Sequence, residues 1–123
     1  MAKYCNPDII DGALNVIKNN ANLMIICSAQ PTTRTEAVST YALADVAMTG
    51  TDFTLANGDV NGRKLTVAAK AGITVDAVGQ ATHIALVDGT RLLYVTTCTA
   101  QQLAAIGNLV NCPAYDIEIN NPT

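Results

Sequence analysis

Close to its start the chain has the residue spacing of an amphipathic helix. Apolar residues recur at i, i+3, i+4 and i+7, which puts their side chains on one face. These residues are Ile10, Ala13, Leu14 and Ile17. Asn6 can cap the helix and Pro7 suits its first turn, so we predict a helix over residues about 7–20. Gly12 lies inside it, which lowers stability by about 1 kcal/mol relative to alanine and could allow close packing against a strand.

After this helix the pattern changes to short runs typical of strands. The apolar run Leu23–Cys27 is too short to be a second helix, and it predicts a strand buried on both faces. Polar and apolar residues alternate in three later runs, which predicts strands with one buried face. These runs are residues 52–56, 63–69 and 73–76.

Four other stretches have weaker patterns. Residues 31–40 are polar and Thr-rich, which predicts a loop with one helical turn near 35–38. Residues 41–48 fit either a helix or a strand, and residues 101–105 could form a helical turn. Residues 109–119 predict one last strand that is interrupted at Pro113, because proline cannot donate a hydrogen bond to a sheet ladder.

The clearest pattern is a predicted β-hairpin over residues 81–98. Two runs rich in β-favouring residues flank an Asp-Gly turn at residues 88–89. Alternation along the first run puts His83 on the same sheet face as Ala85 and Val87. The hairpin is therefore expected at the centre of the fold.

Together these elements predict a mainly β fold. We expect one β-rich domain spanning residues 1–123, because nothing in the chain resembles a linker and its length is sufficient for a core without disulfides. The N-terminal helix is expected to be followed by about six to eight short antiparallel strands, arranged as a sandwich or a small barrel.

Composition and charge narrow the classes of partner. The apolar content is mainly aliphatic, with one Phe and no Trp, so side chains that stack on nucleobases are scarce. The net charge of −3 argues against nucleic acid and against an anionic membrane surface as partners. The N-terminus lacks the apolar segment of a signal peptide, and the longest apolar run is too short to span a bilayer. We therefore expect a protein made in the cytoplasm.

Candidate catalytic groups are few. His83 is the only imidazole, and a Cys98–His83 pair across the hairpin is the one nucleophile arrangement that the predicted elements allow. Ser28 and Ser39 do not lie in a Gly-x-Ser-x-Gly elbow, so neither forms a recognisable triad. A histidine in an alternating strand is more often a packed or hydrogen-bonded residue than a general base. We predict no enzymatic activity and no catalytic residues.

The carboxylates also have simple structural interpretations. Asp8 and Asp11 are one turn apart, where they are expected to serve the helix N-terminus and solvent. Asp116 and Glu118 are expected on the wet face of a half-buried strand. Residues 57–62 resemble a calcium loop but lack the later glutamate of an EF-hand, so a hairpin turn is the better interpretation. The sequence predicts no metal site and no cofactor.

Four cysteines are spread widely along the chain, at Cys5, Cys27, Cys98 and Cys112. Metal sites usually use close pairs such as Cys-x-x-Cys, which are absent from this sequence. In a reducing cytoplasm the expected state is the free thiol. The alternative is that a thiol oxidises after release and crosslinks subunits, for which Cys5 on the end segment is the best candidate.

Three segments together resemble a family of small bacteriophage and prophage virion proteins. They are the Gly79–Asp88 strand with its Thr-His-Ile-Ala-Leu-Val-Asp run, the Leu92–Tyr94 strand and the closing Gly107–Ile119 segment. The predicted helix and the Leu23–Cys27 strand fit the same layout. The chain departs from the family's usual pattern in its four cysteines and in the Val110–Pro113 join.

The resemblance implies a structural role with no catalytic residues. Members are head decoration, head fibre or tail fibre-like accessory proteins. For this chain we expect a capsid decoration or cement protein, bound in the virion to the major capsid protein or other virion subunits, and a homo-oligomer. The alternatives are a tail, neck or fibre-associated protein with a host-binding role and, more distantly, a small ligand-binding domain or enzyme.

Overall fold

The N-terminal helix forms where the sequence predicts it. The structure is a computed structural model that describes residues 3–122, so three terminal residues of the predicted domain lie outside it. Helix α1 spans Pro7–Asn20, and the Asn6 side chain caps it by accepting a hydrogen bond from the Asp8 amide at 2.8 Å. Ile10, Leu14 and Ile17 are buried, whereas Ala13 is exposed. The buried stripe is thus narrower than predicted.

Gly12 does not serve close packing, which corrects the prediction. A Cβ atom built on Gly12 meets no heavy atom within 4 Å, because this position lies on the exposed side of α1. The glycine therefore contributes only its backbone freedom, which disfavours the helix.

Replacing Gly12 with alanine is accordingly expected to raise the free energy of unfolding by about 1 kcal/mol. The gain comes from a smaller loss of backbone entropy, with no new contact. Equilibrium unfolding in urea measures it. An unchanged or lower stability would show that Gly12 is needed for a contact after all.

Within residues 3–122 the helix is followed by nine strands. They are β1 Leu23–Cys27, β2 Ala42–Ala47, β3 Phe53–Asn57, β4 Arg63–Val67, β5 Lys70–Thr74, β6 Gly79–Val87, β7 Leu92–Leu103, β8 Leu109–Cys112 and β9 Tyr115–Ile119. All pair in antiparallel fashion, in sheets of order β2-β1-β6-β7, β3-β4-β9 and β5-β8. The mainly β fold and its helix are confirmed, and the arrangement is an open sandwich, not a closed barrel.

The strand count exceeds the predicted range because one predicted strand is in fact two. Residues 109–119 form two strands in different sheets, with Pro113 in the connection between them. Residues 41–48, which fitted helix or strand, contain β2. The helical turn expected near 35–38 is present as a single π-helical turn over Glu36–Thr40.

The helical turn predicted over residues 101–105 is wrong. Strand β7 continues to Leu103, because β6 begins early enough to pair with it: Gly79 lies opposite Leu103 and Ala81 opposite Gln101. Pairing with β6 therefore outweighs the weak local preference of residues 101–105 for a helical turn.

The four-stranded sheet is buried on both faces along β1 and the second half of β6. Its inner face packs on the main core, to which α1 and all three sheets contribute. Its outer face carries a smaller cluster that the chain around the π-helical turn covers. The cluster consists of Ile25, Cys27, Ala37, Ala85 and Val87. This double burial explains the continuous apolar run of β1, as predicted.

The carboxylate of Asp88 holds the turn of the β6–β7 hairpin through hydrogen bonds. Asp88 accepts hydrogen bonds from the Thr90 amide at 2.8 Å, from the Arg91 amide and from Arg91 Nε at 2.7 Å. Its backbone carbonyl accepts a further bond from Arg34 Nε at 2.7 Å. The Thr90 amide, with the hydrogen bonds and charge of Arg91, lowers the Asp88 pKa from its ordinary value of 3.8 to about 2.

This depressed pKa predicts how the hairpin responds to acid. The stabilisation from ionised Asp88 is fully present above about pH 4, and is lost as the pH falls towards about 2. An Asp88→Asn variant should be less stable at neutral pH, and its stability should fall less steeply over this window. Urea unfolding at a series of pH values measures both. Parallel pH profiles for the two proteins would contradict the role of Asp88.

Candidate interaction face

The structure does not bring the candidate catalytic pair together. His83 lies on the outer face of the four-stranded sheet, opposite Cys27 of β1 and Thr97 of β7. Its Nδ1 atom lies 2.8 Å from the Thr82 hydroxyl. Cys98 projects from the opposite face and packs against the main core. His83 therefore has the position predicted for it, and Cys98 is out of its reach.

Three of the thiols are held in the protonated form. Burial, with a smaller contribution from Cys98, raises the pKa of Cys27 to about 11. Burial likewise raises the pKa of Cys98 and of Cys112. Because the thiolate is the nucleophilic form, these side chains are poor nucleophiles.

Cys5 keeps its place as the candidate for an intersubunit disulfide, although its surroundings differ from those expected. It is half-buried, packs against the main core, and its Sγ lies 3.7 Å from the Asn6 carbonyl oxygen. Within residues 3–122 all four cysteines are free thiols. The crosslink stays a prediction, which a comparison of reducing and non-reducing gels tests.

The carboxylate predictions are confirmed in part. Asp8 lies in the first turn of α1, but Asp11 is not a solvent group: it pairs with Arg63 Nε of β4 at 2.7 Å. Asp116 and Glu118 do lie on the exposed face of β9, where Asp116 accepts a hydrogen bond from the Thr66 hydroxyl at 2.8 Å. Residues 57–62 form the β3–β4 hairpin turn. Within the described residues no group of three or more metal-ligating side chains converges.

A cleft lies between the inner face of β6 and β7 and the strands β8 and β9. Its volume is about 350 Å³, and its floor is formed by Ile26, Ile84 and Val110. Cys98 and Cys112 contribute to its walls. The cleft is small and largely apolar.

A long stretch without charge runs through this region. All seven basic and ten acidic residues of the chain lie outside residues 92–115, which we call the charge-free stretch. It comprises β7, the β7–β8 loop, β8 and the connection to β9. Depletion of charge is a mark of the central part of protein interfaces. The absence of charge is visible in the sequence, although no motif for a chemical site marks this stretch.

The β7–β8 loop adds exposed apolar side chains at one end of the molecule. Ile106 is 71% exposed and Leu109 is 68% exposed. Val78, which is 56% exposed, precedes the Gly79–Leu103 pair at the start of this loop. We call Val78, Ile106 and Leu109 the apolar tip.

Backbone hydrogen bonds fix the tip in place. The Gly107 amide donates to the Val75 carbonyl at 2.9 Å, and the Val75 amide donates to the Asn108 carbonyl at 2.8 Å. Leu109 itself lies opposite Thr74 in the β5–β8 ladder. The apolar side chains are thus presented on ordered backbone, and such exposed groups commonly mark a protein–protein contact.

Comparison with protein-family models, with curated proteins and with solved structures gives no match to the chain. Among the residues that the structure describes, no helix is both long and apolar enough to cross a membrane.

Proposed function

We propose that the chain is a structural protein of a tailed-phage virion, bound to the outside of the head as a capsid decoration protein. The observation that carries the proposal is the apolar tip, an ordered group of exposed apolar side chains of which Ile106 and Leu109 lie within the charge-free stretch. The resemblance of the strand motifs to virion accessory proteins supports the choice of partner, the major capsid protein.

The tip is suited to docking in a shallow apolar depression of a neighbouring subunit. Complete burial of a Leu or Ile side chain contributes about 1.5–3 kcal/mol. Two such anchors can give a stable contact only if the partner surface is already formed, since ordering a loop would consume part of the gain. The docking surface of this chain must also be formed before binding, and the backbone hydrogen bonds of Val75 provide this by holding the tip in place.

Decoration would stabilise a shell by mass action. A ligand that binds only the assembled state shifts the equilibrium towards that state. The net charge of −3 is compatible with the outside of a head, where a strongly basic protein would bind nucleic acid instead. A decoration protein on the outside of the head also needs no catalytic group for its role.

Electron microscopy of particles carrying a labelled copy of the chain tests the location. Label distributed over the head is the expected result. Label confined to the tail, neck or fibres would replace the decoration role with the host-binding alternative. Particles without label, despite expression of the labelled copy, would contradict both and leave the small-ligand alternative, for which the cleft is the supporting observation.

A further inference from the structure

We propose that two copies of the chain pair through the outer edge of β7, so that their four-stranded sheets join into one continuous sheet. The inference deepens the proposed function, since it names a second copy of this chain as one partner of the virion protein. It rests on the edges of the sheets and is independent of the apolar tip.

The edge of β7 is open in the described chain. β7 is the last strand of the order β2-β1-β6-β7 and pairs only with β6. The opposite edge of this sheet is partly covered, because Ala44 of β2 forms a bridge with Val75 and the Leu43 carbonyl accepts from the Asp76 amide at 2.7 Å. The sheet therefore has one edge that is open along its whole length.

The other edge strands carry features that discourage pairing. β9 bears Asp116 and Glu118, and β8 has four residues and is followed by Pro113. β3 is short, and its Phe53 carbonyl already accepts a hydrogen bond from Lys18 of α1 at 2.8 Å. Charges, prolines, short length and covering elements are the usual protections of a sheet edge.

β7 lacks the charge and proline protections. It spans twelve residues and contains neither a charged residue nor a proline. Register irregularities do occur beside Leu93 and over residues 98–100, so its regular part is Tyr94–Thr97. This central segment consists of aromatic and β-branched residues, which favour cross-strand pairs.

The geometry of the segment fits a two-fold axis. When two copies of one strand pair in antiparallel fashion within one sheet, paired side chains lie on the same face only if one residue lies opposite its own counterpart in the second copy. We place Thr96 at this position, on the two-fold axis. Val95 then lies opposite the second copy's Thr97, and Tyr94 lies opposite Cys98. Like charges would repel at such an axis, and this segment has none.

A second copy is also the partner that closes the assembly. Because one edge of the sheet is open and the other is partly covered, pairing of two copies leaves no fully open edge for a third. The result is a dimer and not a fibre. Regular pairing about Thr96 covers residues 95–97, so it would add only a few backbone hydrogen bonds, a weak to moderate contact compared with the usual ten or so.

Charge placed on the axis tests the pairing. Thr96→Lys and Thr96→Glu should each weaken self-association by about tenfold or more, because two like charges would face each other. An equimolar mixture of the two variants should restore the dimer.

Thr54→Lys and Thr54→Glu, at an exposed position of β3, are the matched controls and should behave as wild type. Sedimentation equilibrium measures the mass against the 12.8 kDa of one chain, and circular dichroism verifies folding.

A wild-type chain that stays monomeric at high concentration would overturn the inference, as would dimers that persist in both Thr96 variants. If those variants fail to fold, hydrogen exchange of the wild type decides: the β7 amides should gain protection as concentration rises, and no gain would refute the pairing. These results are separable from particle binding. A dimer that is absent from virions would refute the proposed function alone, and a monomer found in virions would refute the pairing alone.

Discussion

Replacing Leu86 with alanine is expected to lower the free energy of unfolding by about 2–5 kcal/mol, the largest effect on stability that we predict. Leu86 is 0% exposed and lies in β6, opposite Met24 of β1 and Tyr94 of β7. Its removal leaves a cavity in the main core that neighbouring strands cannot fill without losing their register. For a small domain this loss is a large part of the total stability.

Leu109→Ala is the matched control, since it is the same substitution at a side chain that is 68% exposed. It should change the unfolding free energy by no more than about 0.5 kcal/mol. Urea unfolding followed by circular dichroism measures both variants. Equal effects at the two positions would contradict the placement of the hairpin at the centre of the core.

The largest effect on binding is expected from the double substitution Ile106→Asp and Leu109→Asp. It should weaken association with assembled heads by a hundredfold or so, because two carboxylates would replace the apolar anchors of the tip and would have to be desolvated. Unfolding should be nearly unaffected, since both side chains are exposed in the free protein. Co-sedimentation with heads that lack the endogenous protein measures the binding.

Val60→Asp provides the comparison for this experiment. Val60 is 89% exposed in the β3–β4 turn, outside the apolar tip, so Val60→Asp adds one of the two extra charges at an exposed apolar residue away from the tip. Binding by this variant should equal that of the wild type. If it falls as far as that of the double variant, the effect is one of general charge and the tip is not the docking surface.

The sequence predicts the elements whose patterns are long or locally capped. Helix α1 has a regular buried stripe and a capping Asn6, so its bounds follow from local chemistry. Strand β1 is equally clear because burial on both faces leaves an apolar run without interruption. The separation of β8 from β9 could not be predicted, since Pro113 marks an interruption but does not reveal that the chain enters another sheet.

One register irregularity separates His83 from Cys98, which the sequence allowed as a possible pair but did not predict as catalytic. Near the turn Val87 lies opposite Leu92, but the next pair is Leu86 with Tyr94, so one extra residue enters β7. Without that residue His83 and Cys98 would lie on the same face; with it they lie on opposite faces. An alternating pattern contains no signal for such a bulge, so the pairing of faces cannot be derived from the sequence.

The candidate interaction face was predictable in one respect only. The absence of charged residues from 92 to 115 can be read directly from the sequence. Which of those residues are exposed depends on pairing between strands distant in sequence, such as Leu109 with Thr74. The apolar tip therefore becomes visible only in the folded chain.

Mass spectrometry of purified particles tests the central claim most directly. Phage particles from cells that produce the chain should be separated from lysate proteins on a density gradient and digested, and the chain should be quantified against the major capsid protein. We predict many copies of the chain per particle, in constant ratio to the capsid protein across the particle band. Its absence from the purified particles, despite its presence in the lysate, would contradict the assignment of the chain as a virion protein.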